Sequence, residues 1–406
     1  MTVHHPRGIL AAAAVLALGA AAAAPVAASS GHHGHDHDHD HGHGHASRSF
    51  TYAVYGDAPY GTSPTDSSET DATPAFIDTV NADKPVSAVL HVGDIHAGSQ
   101  YCTQAYDQQV ADLWTGFADP LVYTPGDNEW TDCHKKKEGG GVYNAATGQI
   151  DYVNDADGNL VDYAGGNPVD NLALVRSIFF PKPGATLGSG TLRVLSQAQV
   201  DNRAHPTDAQ YVENVMWQRD GILFASVNVP GGSNNDADPW YGAPTASPQQ
   251  TTEAANRTGA ALRWIDRAFR TAGTAHARSV VLMTQADMWD LDGKDASHLA
   301  GYEPIVSSLA SHTSAFGKPV LLLNGDSHVY RSDNPLRQAA PCAGDEGVCA
   351  YDDWESHPSY DVTNFHRIVV HGSTVPLEYL RLTAATKDLA TTDTSFGPFS
   401  WERVTG

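Results

Sequence analysis

The sequence predicts an α/β fold with a largely parallel sheet. Three observations predict it: short apolar runs that end in Gly-Asp, helical stretches between those runs, and polar clusters at the run ends. Short apolar runs bounded by Gly and Asp read as strands buried on both faces, and helices between them imply parallel crossovers.

In chain order, Phe50–Tyr55 reads as a strand ending in Gly56-Asp57, and Pro74–Ala82 as a short helix. Val86–Val92 is a buried strand ending in Gly93-Asp94, followed by an amphipathic helix over Gln104–Phe117. Pro120–Pro125 is a strand ending in Gly126-Asp127-Asn128-Glu129. Residues 136–170 are rich in Gly, Asn and Asp and read as an inserted loop region. Asp220-Gly221 between Tyr211–Gln218 and Ile222–Val229 is a hairpin signal. Glu253–Ala272 is a helix, with Leu262, Ile265 and Phe269 on one face. Strands at Ser279–Thr284 and Pro319–Leu323 flank a helix at Tyr302–Ser311, and Arg367–His371 and Leu377–Leu382 close the pattern. The chain after Thr383 is polar and reads as irregular.

The N-terminus carries His4, His5 and Arg7, an apolar run from Ile9 to Ala24, and small residues at Val26-Ala27-Ala28. The run is too short and Ala-rich for a membrane span, so residues 1–28 are expected to be a secretory signal peptide. The protein is accordingly expected outside the cytoplasm, secreted or periplasmic. Residues 29–48 form a His-rich segment with eight His in the tract 31–45. Such a tract cannot pack a core and is expected to be disordered. Metal capture and a solvated spacer remain equal readings of it. The folded domain then runs over 49–385, with 136–170 inserted, and 386–406 is a tail.

There are 47 carboxylates against 24 Lys and Arg, a formal net charge of −23. That balance argues against a nucleic-acid partner, and it requires local positive charge at any phosphate site, for which a bound cation is the economical source. The four Cys read as two disulfides, Cys102 with Cys133 and Cys342 with Cys349. Neither G-x-S-x-G nor a Walker sequence occurs, which leaves serine-hydrolase and P-loop readings without support.

Five strand ends carry polar clusters: Gly56-Asp57-Ala58-Pro59-Tyr60, Gly93-Asp94-Ile95-His96, Gly126-Asp127-Asn128-Glu129, Gln285-Ala286-Asp287 and Gly325-Asp326-Ser327-His328. Ligands of open α/β sheets bind outside the carboxyl ends of the strands. Carboxylates converging there would repel one another unless divalent cations sat between them.

The ordered series resembles the motifs of the calcineurin-like metallophosphoesterase superfamily, which run D-x-H, G-D-x-x, G-N-H-[D/E], a strand-end His, and G-H-x-H. The resemblance spans roughly Phe50 to Leu382. It implies a four-layer αββα sandwich of the metallophosphoesterase type with inserted loops, two metal ions at the strand ends, and metal-activated water attacking phosphorus. Carried over residue by residue, it implies metal ligands at Asp57, Asp94, Asp127 or Asn128, Gln285, Asp326 and His328, with Asp94 bridging. Alignment without gaps favours Asp127 at the third motif, and residue identity favours Asn128.

The sequence departs from the family pattern at several places. Pro59 stands at the first motif's His, Gln285 at the fourth's, and Asp326 at the first His of the last. Asn128 stands at the usual catalytic His and has no proton to give, so His96 and His134 are the candidates for the lost imidazole. Oxygen donors in place of nitrogen favour manganese, magnesium, iron or calcium over zinc. Glu129 is expected to orient a neighbour rather than bind metal. Tyr60, Trp130 and Trp289 read as structural, Arg331 as a surface ion pair, and Asn228 and His371 as rim residues. The implied function is hydrolysis of a small-molecule or headgroup phosphate ester, mono- or diester. The alternative is a catalytically weak or inactive metal- or ligand-binding protein on the same fold.

Overall fold

The computed structural model describes residues 48–235, 238–291, 296–338, 343–344, 357–373 and 377–406. The expected signal peptide, nearly all of the His-rich segment and the Cys342–Cys349 pairing lie outside them.

The chain forms β1 (Phe50–Tyr55), α1 (Ser68–Ala82), β2 (Val86–His91), α2 (Gln104–Trp114) and β3 (Leu121–Tyr123). A hairpin of β4 (Gly141–Asn144) and β5 (Gln149–Tyr152) precedes α3 (Pro168–Phe179), β6 (Leu195–Ser196), β7 (Val215–Arg219) and β8 (Ile222–Ser226). A single turn, α4 (Gly231–Asn235), leads to α5 (Pro248–Thr274), β9 (Ser279–Met283), α6 (Glu303–Phe316) and β10 (Val320–Asn324). The chain ends with β11 (Arg331–Asp333), β12 (Ala343–Gly344), β13 (Phe365–Val369), β14 (Glu378–Ala384), β15 (Ser395–Phe396) and β16 (Phe399–Thr405).

Two large sheets result. One has the order β15-β16-β14-β1-β2-β3, the other β12-β11-β13-β10-β9-β8-β7-β6. β1, β2 and β3 are mutually parallel, and so are β8, β9, β10 and β13. Alternate residues of each central strand point to opposite faces. Tyr52 and Val54 of β1 therefore join Leu321 and Leu323 of β10 in one apolar cluster drawn from both sheets. Ala53 and Tyr55 pack instead with Phe76, Val80, Val110, Trp114, Val175 and Phe179 of α1, α2 and α3. On the second sheet, Val320 and Leu322 pack with Trp264, Ile265, Phe269, Ile305 and Leu309 of α5 and α6. Burial on both faces explains why these strands read as unbroken apolar runs.

The hairpin at Asp220-Gly221 is present, with φ of 47° and 77° at its two central residues. Three readings change. α1 begins at Ser68, six residues before the expected start, and carries Pro74 inside it. α3 was not expected, although Asn167 caps Val169 and Asp170 N–H and Pro168 opens the first turn. The tail is not irregular: β16 pairs along all of β14, and Phe399 and Trp401 enter the inter-sheet core. Their alternation with Ser400 and Glu402 is a strand pattern too short to stand out from polar flanks. Cys102 and Cys133 form the expected disulfide, with Cα atoms 5.7 Å apart. Among the described residues no helix is long and apolar enough to cross a membrane.

Candidate metal centre

The parallel strands of both sheets deliver their carboxyl ends to one place. Backbone hydrogen bonds tie the first loop to the second, the fourth to the fifth, and the first to the segment after β13: Asp57 N–H to Gly93 O (2.9 Å), Ala58 N–H to Asp94 O (3.0 Å), Gly325 N–H to Gln285 O (3.0 Å) and Ser373 N–H to Asp57 O (2.7 Å). Asp57, Asp94, Asp326 and His328 all adopt left-handed backbone, with φ of 50°, 57°, 79° and 59°. Each such residue costs roughly 1–2 kcal/mol, and such strain gathers at functional sites. Here it turns each side chain back across the end of its own strand. Glycines supply the remaining room. A Cβ on Gly126 would collide with Asp94 Oδ1, and one on Gly325 with Asp57 Oδ2. One on Gly231 would lie 2.6 Å from Asp127 Oδ2 and 2.7 Å from Asp326 Oδ1.

Two triads of potential ligand atoms form, each within 4.8 Å: Asp57, Asp94 and His328, and Asp94, Asp127 and Asp326. Asp94 belongs to both. Asp57 Oδ1 accepts from Asp326 N–H (2.8 Å), and Asp326 Oδ2 from Asp287 N–H (3.0 Å). Asp57 Oδ2 is buried without any hydrogen-bond partner. No Lys or Arg nitrogen reaches ion-pair distance of these four carboxylates among the described residues; only His328 Nε2 approaches, 3.6 Å from Asp57. Burial, with mutual repulsion behind it, pushes the Asp57, Asp94 and Asp326 carboxyls well above the usual range. Burial, with the Asp132 and Glu129 carboxylates behind it and Lys135 opposing, raises Asp127 to about 7. Burial lowers the His328 imidazole to about 4, which keeps its nitrogen available as a ligand. The orphaned oxygen, the repelling carboxylates and a neutral imidazole together fit divalent cations.

Asp57, Asp94, Asp127, Asp326 and His328 are thus brought together. At the third loop the cluster takes the carboxylate of Asp127. Asn128 lies beside it, donating from Nδ2 to Tyr60 Oη (3.0 Å) and Asp94 Oδ2 (3.4 Å). Gln285 departs from the expected ligand role. Its Oε1 accepts from Gly231 N–H (2.5 Å), so its NH₂ faces Asp94 (3.1 Å) and Asp127 (2.9 Å) as a donor. Turning the amide over would set NH₂ against N–H at Gly231. Glu129 does orient its surroundings, accepting from Tyr123 Oη and Gly126 N–H.

The two candidate imidazoles separate. His96 is fully buried, edge-on to Tyr106 and beside the Cys102–Cys133 disulfide, and takes no part in the cavity wall. Its ring lies against the disulfide sulfurs and not among the clustered carboxylates. His134 does line the cavity, a space of about 370 Å³. Its Nδ1 accepts from Tyr241 N–H (3.0 Å), which leaves Nε2 to carry the proton. Burial lowers this ring to about 4, so it is neutral at pH 7.

Residues at and around the cavity take roles the sequence did not signal. Tyr60, read as structural, donates from Oη to Asp94 Oδ2 (2.9 Å) and lies 3.2 Å from His328 Nε2. Burial and the nearby carboxylates raise its pKa well above that of a free phenol, so it stays a donor. Lys135, paired with Asp132, and the more exposed Lys137 come from the loop after β3. Ser233 and Asn235 come from α4, whose residues 232–234 are left-handed and are held by Arg257 Nη2 on Asn234 O (2.8 Å). Arg331 is buried rather than on the surface, with Nη1 3.3 Å from Asp287. Asn228 turns from the rim to Glu213 and Asn214. Trp130 and Trp289 are buried beneath Arg257 and Arg367.

No family model matches the sequence, and no curated protein matches it. Among solved structures, a purple acid phosphatase isolated from yellow lupin (Lupinus luteus) seeds is similar over 83% of this chain and 50% of its own, at 14% identity and a TM-score of 0.38. The chain therefore spans about half the length of that phosphatase.

Proposed function

We propose that this chain is an exported, metal-dependent hydrolase of phosphate mono- or diesters, built as a four-layer αββα sandwich of the calcineurin-like metallophosphoesterase type. One observation carries the reading: two triads of buried and half-buried ligand atoms meet at Asp94, and among the described residues no Lys or Arg lies at ion-pair distance of their carboxylates. The three apolar clusters, one drawn from both sheets and one under each set of helices, support the layering. The disulfide supports export.

Asp57, Asp94 and His328 would hold one ion, and Asp94, Asp127 and Asp326 the other. An oxygen-rich donor set favours manganese, magnesium, iron or calcium. Bound ions supply positive charge for phosphoryl oxygens and a more acidic water. The chain's own residues do the rest. Tyr60 and Gln285 donate to Asp94 and fix the carboxylate that both triads share. His134 offers Nε2–H at the cavity wall, where it can hydrogen-bond a leaving oxygen. Lys137 adds positive charge at the mouth for an anionic substrate. Asn128 contributes a hydrogen bond and no proton.

The test is hydrolysis of para-nitrophenyl phosphate and its bis-ester by the mature protein, with magnesium, manganese, calcium, iron and zinc supplied in turn. The expected result is a metal-dependent rate that disappears in Asp94→Asn. A folded, metal-binding protein with no rate on either ester would establish the binding-protein reading instead.

A further inference from the structure

A second cavity, of about 230 Å³, lies against the middle of α5. Three arginines of that helix, Arg263, Arg267 and Arg270, border it at spacings of four and three residues, which place them on one face. Two are committed. Arg263 pairs with Asp208 through both Nε (2.8 Å) and Nη2 (2.5 Å), and Arg270 pairs with Asp266 (2.9 Å). The neighbouring polar groups are committed as well. Asn202 donates to Asp208 (3.2 Å), and Gln197 is spent on Ala260 O (3.0 Å) and Asn214 (2.7 Å).

Arg267 differs. It makes no ion pair or hydrogen bond among the described residues, and its Nε is buried without an acceptor. One turn away, Trp264 lines the same cavity, is 1% exposed, and also has an indole N–H without an acceptor. A guanidinium shut partly from water beside a second orphaned donor lacks acceptors and negative charge. Three aspartates line the cavity beside the three arginines: Asp208 and Asp266 are paired as above, and the exposed Asp201 contacts Arg203 (3.4 Å), so Arg267 is the lining arginine without a carboxylate partner among the described residues.

We propose that this cavity binds a small oxyanion, a phosphate or a carboxylate, held by the guanidinium of Arg267. Guanidinium recognises both groups through paired N–H donors. The site is separate from the carboxylate cluster. Arg257, which braces the wall of the first cavity, and Arg267 are ten residues apart on α5, about 15 Å along its axis. The inference does not depend on the phosphoesterase reading.

The experiment is calorimetric titration of the chelator-treated full mature protein with inorganic phosphate, and separately with succinate, for wild type, Arg267→Gln, Arg267→Lys and Asp94→Asn. The expected result is saturable binding of at least one anion by wild type and Asp94→Asn. It should be weaker by about tenfold or more in Arg267→Gln and partly retained in Arg267→Lys. Phosphate alone binding would make the site one for phosphoryl groups, and succinate alone one for carboxylates. Absence of saturable binding for both anions in wild type overturns the proposal. So does binding that survives Arg267→Gln, or that is lost only in Asp94→Asn.

Discussion

Two groups of buried carboxylates lie side by side at the strand ends, and they solve the same problem in opposite ways. Asp287 and Asp333 are neutralised from within. Arg367 reaches Asp287 through Nη1 (2.6 Å) and Asp333 through Nε (2.9 Å) and Nη2 (2.6 Å), and Arg331 adds a second contact to Asp287 (3.3 Å). Among the described residues Asp57, Asp94, Asp127 and Asp326 have no Lys or Arg at ion-pair distance, and burial and neighbouring carboxylates raise their carboxyls. A fold that can aim two guanidiniums at Asp287 has not left its neighbours bare for want of arginines. Asp94, Asp127 and Asp326 line the cavity alongside Asp287, where a cation from solution would reach them.

The sharpest way to break this contrast is Asp94→Asn. If both triads depend on that carboxylate, ester hydrolysis should fall by about 10⁴-fold, the equivalent of several kcal/mol of lost charge stabilisation. Metal content measured by elemental analysis should fall with it. Retention of both would separate the cluster from the chemistry. The matching change in the other group is Arg367→Met. It strands Asp333, leaves Asp287 only the longer Arg331 contact, and should cost about 3–5 kcal/mol in urea unfolding, with metal content unaltered. A loss of metal in a still-folded Arg367→Met protein would show that the two groups are one.

Removing the metal should expose the cost of the bare group as a pH dependence. In the metal-free protein Asp127 is raised to about 7, against about 3.9 in an unfolded chain. Between these values the folded state binds more protons at this group than the unfolded one, so the contribution of Asp127 is complete below about pH 4 and is lost as pH rises through 7. His134 and His328, lowered to about 4, act with the opposite sign over the same range. Thermal melts in chelator should therefore show the Asp127 decline as the difference between wild type and Asp127→Asn, and saturating metal should flatten that difference. Equal slopes with and without metal would argue against a cation site. The smallest effect is expected from Tyr60→Phe, which removes one donor to Asp94 and should weaken metal binding about 10–100-fold by competition with a chelating dye.

Much of this was legible in the chain. An apolar run followed by Gly-Asp is a local pattern, since the strand needs apolar residues on both faces and the turn beyond it needs room and an acceptor. That pattern marked Asp57, Asp94, Asp127 and Asp326 without reference to anything distant. The failures have the opposite character. His96 lies two residues from Asp94, yet its ring goes to the disulfide. Gln285 occupies the expected position but presents its NH₂, because Gly231, 54 residues earlier, claims its oxygen. Tyr60 was undervalued because its partners, Asp94 and His328, are 34 and 268 residues away.

The sequence by itself determined the α/β class, the parallel strands, the Cys102–Cys133 link and the inventory of strand-end carboxylates. Each follows from composition and spacing within a few turns of chain or, for the disulfide, from the pairing of thiols expected in an exported protein. Only the tertiary structure places Asp127 rather than Asn128 in the cluster, sets His96 against the disulfide, brings Tyr60 to Asp94 and makes Asp94 common to two triads. Those outcomes turn on the direction of a side chain relative to groups distant in sequence. Direction is set by left-handed backbone at single residues and by distant hydrogen-bond partners, and neither is written in local sequence.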